Sequence, residues 1–122
     1  MTGLPVALRW VPALCWALTI FVLSSVPDLR IAPEPTIDLV VRKIGHAAVF
    51  SILAILIHFA LRGRPRRELL SWVAASVYAV TDELHQALVP GRGPSPADVA
   101  LDVLGVTAGI AGLRVLAARR RA

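Results

Sequence analysis

Residues 82–102 read DELHQALVPGRGPSPADVALD, and this stretch decides how the rest of the chain is interpreted. Two carboxylates, a histidine and a glutamine close one apolar segment. After a Pro-Gly-Arg turn, two further carboxylates open the next. Ionisable side chains within membrane segments are rare, and they usually face the bundle interior or a wet cavity, where they mark functional sites. The stretch therefore predicts where the protein acts, provided that its flanks are membrane helices.

The composition favours a membrane protein of one domain. Of the 122 residues, 57% are hydrophobic and the mean hydropathy is +0.70, above the roughly 45–50% apolar content of soluble domains. A chain of this length cannot bury so much apolar surface internally, so we expect lipid to cover most of it. The net charge of +5 does not indicate nucleic-acid binding, because the basic residues lie at segment ends. A single cysteine, Cys15, excludes an intrachain disulfide.

Four apolar segments predict four membrane-spanning helices. They cover about 8–26, 44–61, 68–89 and 96–116. Helices of roughly 18–22 residues reach about 27–33 Å, the thickness of the bilayer's hydrocarbon core. An open strand could not satisfy its backbone there. We therefore expect an all-α, antiparallel bundle of four transmembrane helices in a single domain over 1–122, with a proline-rich loop at 27–41. The first segment is longer than the roughly 7–15-residue core of a signal peptide, which favours a retained helix.

The basic residues predict the orientation. If the arginine-rich link at 62–67 is cytoplasmic, both termini are too, and nine of the thirteen Lys and Arg residues lie inside. Because cytoplasmic loops carry an excess of Lys and Arg, we expect an N-in, C-in topology. The outer ends of three segments then form one polar layer, an outward-facing pocket. Its members are Arg42, Lys43, His46, Asp82, Glu83, His85, Gln86, Arg92, Asp98 and Asp102.

Small residues continue one face of the last segment inward from this layer. At about 100° per residue, Gly105, Gly109 and Gly112 follow Asp98 and Asp102 on one stripe. Such stripes let a second helix approach closely. We interpret the glycines as packing residues within one chain that hold the acidic face against the other helices.

Three motifs in the polar layer resemble those of the VanZ-like family of small bacterial membrane proteins. They are RKIGH at 42–46, DELHQALVPGR at 82–92 and DVALDVLG at 98–105. The resemblance extends over about residues 10–116 and implies a multi-pass protein of the bacterial cytoplasmic membrane. The named member of that family is associated with low-level resistance to the glycopeptide antibiotic teicoplanin, so the resemblance also implies a role in the cell envelope.

The residue types in the pocket point to acid–base chemistry on an envelope lipid or lipid-linked glycan. General acid–base hydrolysis of a glycosidic or phosphoester bond needs paired carboxylates in different protonation states. We expect Glu83 and Asp98 to be the working carboxylates, with His46 or His85 as proton relay. An arginine fork suits phosphate or carboxylate. The expected substrate-binding residues are Arg42, Lys43, Asp82, Gln86, Arg92 and Asp102.

Two other interpretations of the same residues stay open. In a metal-dependent variant, a divalent cation would be bound by His46, Glu83, His85, Asp98 and Asp102. No short metal signature is present, so we predict no metal site. In a non-catalytic variant, Arg42, Lys43 and Arg92 neutralise the four carboxylates as a structural network, and the protein binds or shields an envelope component. Transport is disfavoured because the inner halves of the segments offer almost no polar residue.

Overall fold

The computed structural model describes residues 3–27, 31–93 and 95–121, and all regular structure in these ranges is helical. Arg30, one of the four basic residues that the predicted topology leaves on the outer side, lies beyond the described residues. The helices are α1 (Val6–Arg9), α2 (Val11–Ser24), α3 (Pro35–Ala60), α4 (Arg67–Gln86) and α5 (Pro96–Arg121). The all-helical fold class is therefore confirmed.

Within the residues that the structure describes, three helical stretches are long and apolar enough to cross a membrane, namely Val6–Ser24, Pro35–Ala60 and Pro96–Arg121. Helix α4 has 20 residues but carries charged residues close to both ends. Its buried face includes Ser71, Ala75, Ala79, Asp82, Glu83 and Gln86. Large apolar side chains elsewhere on the helices are exposed, as lipid-facing surfaces require: Leu14 is 62% exposed and Leu104 is 65% exposed.

The expected loop at 27–41 was wrong for its second half, because α3 begins at Pro35, nine residues before the predicted start. Proline is well tolerated at the first helical position, where its missing N–H has no intrahelical partner to lose. The Glu34 side chain caps this end by accepting hydrogen bonds from the backbone N–H groups of Thr36 (3.1 Å) and Ile37 (2.7 Å). Together these features start the helix upstream of the apolar run.

The other helix ends also differ from the predicted bounds. The first segment is interrupted at Trp10, just before Pro12 in the first turn of α2. Helix α4 ends at Gln86 and continues as turns toward Pro90, while α5 runs past the predicted 116 to Arg121. Arginines have high helix propensity, so the charged tail extends the helix although it is not apolar.

Helix α3 lies at the centre and packs against α2, α4 and α5, with its largest interface to α5. Phe50, Leu53 and Val106 are fully buried in the core between these helices. The glycine stripe packs within the chain, as predicted, at two of its three positions: Gly105 lies against the backbone of Ala47, and Gly109 against Ser51. This close approach lies just below the polar layer, and it fixes the position of α5 along the axis of α3.

Candidate functional site

A pocket of about 770 Å³ lies where α2 ends and α3 and α5 begin. Polar and charged residues from α3, α4, α5 and the loop at 91–93 line it, and α2 adds an apolar wall. Eight of the ten predicted site residues line the pocket: Arg42, Lys43, His46, Glu83, Gln86, Arg92, Asp98 and Asp102. Asp82 lies directly behind this lining, and His85 faces elsewhere.

The floor of the pocket contains a histidine held by a buried carboxylate. The Nδ1 atom of His46 lies 2.7 Å from Oδ1 of Asp102, and Asp102 has no solvent-exposed surface. The seam at Gly105 lies one turn further along α5, against the residue that follows His46. Helix packing therefore places this pair. The second carboxylate oxygen of Asp102, Oδ2, is buried and has no hydrogen-bond partner in the described part of the chain.

The other ring nitrogen of His46 faces an amide. The Nε2 atom of Gln86 lies 3.3 Å from Nε2 of His46, 3.2 Å from Oδ2 of Asp82 and 3.3 Å from Oγ of Ser24. An amide NH₂ group can only donate, and it has two hydrogens for these three neighbours. If one of them is donated to His46, the Nε2 atom of His46 is unprotonated. Nδ1 of His46 then donates to Asp102. The arrangement fits a neutral imidazole whose Nε2 lone pair is aimed toward the pocket side of α4.

Glu83 joins α4 to the start of α5 and keeps one oxygen free. Its Oε2 accepts a hydrogen bond from the backbone N–H of Ser95 (2.7 Å). Its Oε1 is buried without a partner among the residues that the structure describes. The hydroxyl and carbonyl oxygens of Ser95 in turn accept from the backbone N–H of Asp98. Glu83 is thus fixed in place with an unsatisfied acceptor at the pocket.

Three permanently charged side chains form the rim of the pocket. Lys43 makes an ion pair with Asp98, and Nε of Arg42 lies 2.9 Å from Oδ2 of Asp38. Arg92 is half-buried in the loop and donates to the backbone carbonyl of Val26 (3.2 Å). Burial and then the nearby Arg42 lower the pKa of Arg92, but a guanidinium stays charged in proteins. The rim therefore presents three cations at the mouth.

The non-catalytic interpretation paired Arg42, Lys43 and Arg92 with the four carboxylates of the layer. The structure pairs Lys43 with one of these four, Asp98, whereas Arg42 pairs with a different carboxylate. Arg42 pairs with Asp38, which the sequence analysis placed in a loop and left out of the site. Asp38 also accepts hydrogen bonds from the backbone N–H groups of Ile31 (2.6 Å) and Ala32 (3.0 Å), so it shapes the rim. The spacing of four residues between Asp38 and Arg42 was the available signal. Ser24 and Ser95 had no distinctive pattern around them.

His85 is separated from the pocket. Its Nε2 atom lies 2.8 Å from Oγ of Ser25, and its ring stacks on Phe21 with 4.4 Å between centroids. Of the two histidines considered as relay, the structure therefore brings only His46 to the pocket. Among the described residues, no three His, Cys, Asp or Glu side chains are arranged to hold a metal ion.

A family model described as VanZ/LLP1 matches residues 7–117, nearly the whole chain. This match confirms the resemblance drawn from the three sequence motifs. No curated protein and no solved structure matches the chain.

Proposed function

This chain belongs to the VanZ/LLP1 family, and we propose that it binds the head group of an envelope lipid phosphate or lipid-linked glycan and hydrolyses it. In this proposal α4 is a fourth membrane span, the arginine link at 62–67 is cytoplasmic, and the pocket opens on the outer side of the bacterial cytoplasmic membrane. The proposed link to teicoplanin resistance is an altered supply of such a lipid to the cell wall.

The observation that carries this proposal is the cationic rim directly above a histidine–carboxylate floor. Lys43, Arg42 and Arg92 line the same pocket as His46 and Asp102. Arginine and lysine at the mouth suit the phosphate or carboxylate of an anionic head group. If the phosphate of the substrate binds at the rim, the bond that is hydrolysed lies next to His46 and Asp102, which move protons in this proposal.

The apolar part of the pocket supports an amphiphilic ligand. Ile20, Leu23, Leu39 and Val49 line it together with the charged residues. Leu23 is 45% exposed and Leu39 is 47% exposed, so this wall is continuous with the lipid-facing surface. A lipid can place its acyl chains there while its head group enters between the rim residues. A fully water-soluble ligand would gain nothing from that wall.

The proton chemistry in this proposal centres on His46. Asp102 holds the imidazole through Nδ1 at 2.7 Å, as a carboxylate orients the general base in hydrolytic triads. The contact from Gln86 to Nε2 is long, at 3.3 Å, so a water molecule can displace it. As the water oxygen attacks the phosphorus or the anomeric carbon, it gives a proton to Nε2 and the bond to the leaving oxygen breaks. The imidazolium then returns that proton to the leaving oxygen. Glu83 touches the substrate through its free Oε1. Asp98 holds Lys43 at the rim, so it contributes to binding.

Lipids that co-purify with the protein test the binding part of the proposal. The wild type, purified in a mild detergent, should retain a lipid with a phosphate or glycan head group that mass spectrometry identifies. Arg92→Gln should lose it, because a rim cation is removed. The matched control Arg119→Gln, near the opposite end of α5, should retain it. If the wild type retains no such lipid, or both variants retain it equally, the proposal fails.

A second candidate is a non-catalytic protein that binds or shields the same lipid. The ion pairs Lys43–Asp98 and Arg42–Asp38 support it, because the rim is already partly neutralised by its own carboxylates. Incubation of the pure protein with the co-purified lipid separates the two. Release of a head-group product by the wild type and not by His46→Gln supports hydrolysis. Stable binding with no product from the wild type supports the second candidate.

A further inference from the structure

We propose that the lipid recognised in the pocket carries a primary ammonium group next to its phosphate, and that Glu83 and Asp102 bind this ammonium. The inference rests on the proposed function, because it needs a phosphate at the rim. It adds the chemical class of the head group: a zwitterion with its cation at the floor and its anion at the mouth.

The charges around the floor are unbalanced. Arg42 and Lys43 are each paired with a carboxylate of their own, Asp38 and Asp98. Arg92 donates to a backbone carbonyl. The three remaining carboxylates are Asp82, Glu83 and Asp102. The imidazole of His46 lies nearest to them, 2.7 Å from Asp102 and 3.6 Å from Asp82. In its neutral form it offers Asp102 a hydrogen bond but no positive charge.

Two of these carboxylates have an oxygen with nothing to accept from. Oε1 of Glu83 and Oδ2 of Asp102 are buried and lack a hydrogen-bond partner in residues 3–27, 31–93 and 95–121. Both residues line the pocket, and Asp102 is completely buried. Buried polar atoms are nearly always hydrogen-bonded, so an unsatisfied acceptor at a pocket calls for a donor from outside the chain. Here both acceptors belong to residues that line one cavity.

The donor that satisfies both oxygens and corrects the charge is an ammonium group. A primary ammonium carries three N–H donors and one positive charge, and hydrogen bonds between ionised partners are the strongest that proteins make. A hydroxyl group would satisfy one oxygen and leave the charge unbalanced. A quaternary ammonium would supply the charge without any donor. Only the primary amine matches both features of the floor.

Three phospholipids with the same acyl chains test this inference on the full chain in lipid nanodiscs of neutral background. Phosphatidylethanolamine has the primary ammonium, phosphatidylcholine a quaternary ammonium, and phosphatidylglycerol only hydroxyls. We expect phosphatidylethanolamine to bind at least about tenfold more tightly than the other two, the equivalent of one charge-assisted hydrogen bond. Native mass spectrometry of bound lipid gives the three affinities.

Two variants separate this inference from the proposed function. Glu83→Gln keeps the acceptor for the Ser95 N–H and removes the charge, so it should reduce the affinity for phosphatidylethanolamine to that for phosphatidylglycerol. Arg92→Gln should lower the binding affinity for all three lipids, because all three have a phosphate. If the three lipids bind equally and Arg92→Gln weakens them all, the ammonium inference is wrong and the phosphate site stands. If none binds, or Arg92→Gln changes nothing, the proposed function itself fails.

Discussion

Replacing Gly105 with alanine tests the packing that brings α3 and α5 together at the site. A Cβ atom at this position would lie 2.8 Å from the carbonyl carbon and 2.9 Å from the Cα of Ala47. Ordinary contacts begin at 3.4 Å, and the opposing atoms are backbone, so no rotamer change can relieve the overlap. The two helices must separate. Raising the 2.8 Å contact to 3.4 Å needs a shift of about 0.6 Å. A shift of that size lengthens the 2.7 Å bond between His46 and Asp102 to about 3.3 Å, just beyond the roughly 2.7–3.2 Å range for N–H···O bonds.

The size of the effect follows from a matched control on the same helix. A Cβ atom added at Gly112 would have nothing within 4 Å of it, so Gly112→Ala gains only helix propensity, about 1 kcal/mol. Gly105→Ala makes the same gain and adds the strain of overpacking, about 1–3 kcal/mol. The difference in unfolding free energy between the two variants is therefore the strain alone. We expect Gly105→Ala to be the less stable by about 1–3 kcal/mol.

Unfolding in mixed micelles, followed by tryptophan fluorescence, measures this difference. The same samples report on the site, since Gly105→Ala should also lose the co-purified lipid and Gly112→Ala should keep it. Equal unfolding free energies for the two variants would refute the reasoning, because they would mean that α3 and α5 do not meet at Gly105. A destabilised Gly105→Ala protein that binds lipid normally would show that lipid binding does not depend on the contact between α3 and α5 at Gly105.

Three other predictions address topology, the start of α3 and the floor of the pocket. In a Cys15→Ser background, Pro90→Cys should react with an impermeant thiol reagent in intact cells and Arg64→Cys only after permeabilisation; the reverse pattern would turn the pocket toward the cytoplasm. The backbone N–H groups that Glu34 caps hold its pKa below the usual 4.5, so the stability advantage over Glu34→Gln should be present at neutral pH and shrink as the pH falls below about 4.5; melting curves that keep the full gap in acid would contradict this. Glu83→Gln should melt at or above the wild-type temperature, since Glu83 makes no salt bridge with the residues that the structure describes and no cation would be stranded; a clear fall in melting temperature would assign Glu83 to the scaffold.

The polar layer could be predicted because its sequence signal is strong. Charged residues in apolar segments stand out, and the positions of segment ends along the membrane follow from segment length alone. That reasoning predicted eight of the residues that line one pocket, seven of them on three helices and Arg92 in a loop. The same reasoning failed at Pro35, because a helix start depends on a local cap as well as on hydropathy.

Pairing within the layer could not be predicted, because it depends on the rotation of each helix. On α4, the side chains of Glu83 and His85 point about 160° apart at 100° per residue. A pocket on one side of the helix can therefore be lined by only one of these two residues. The structure puts Glu83 and Gln86 on the pocket side and His85 against Phe21 of α2. The α4 sequence does not indicate which of these two sides faces the pocket. The choice is made by where α2 and α3 pack.

The contact at Gly105 explains why the geometry of the site depends on the packing of α5 against α3. Ala47 directly follows His46 on α3, and Gly105 lies three residues after Asp102 on α5. Because the backbones touch at Ala47 and Gly105, the side chains just above the contact are brought to the same height, and a short histidine–carboxylate bond can form between them. A residue larger than alanine at the seam would move the imidazole out of reach and leave the carboxylate of Asp102 buried without it, a state that costs several kcal/mol. The small residue that sequence reasoning assigned to packing is thus what allows the buried charge to exist.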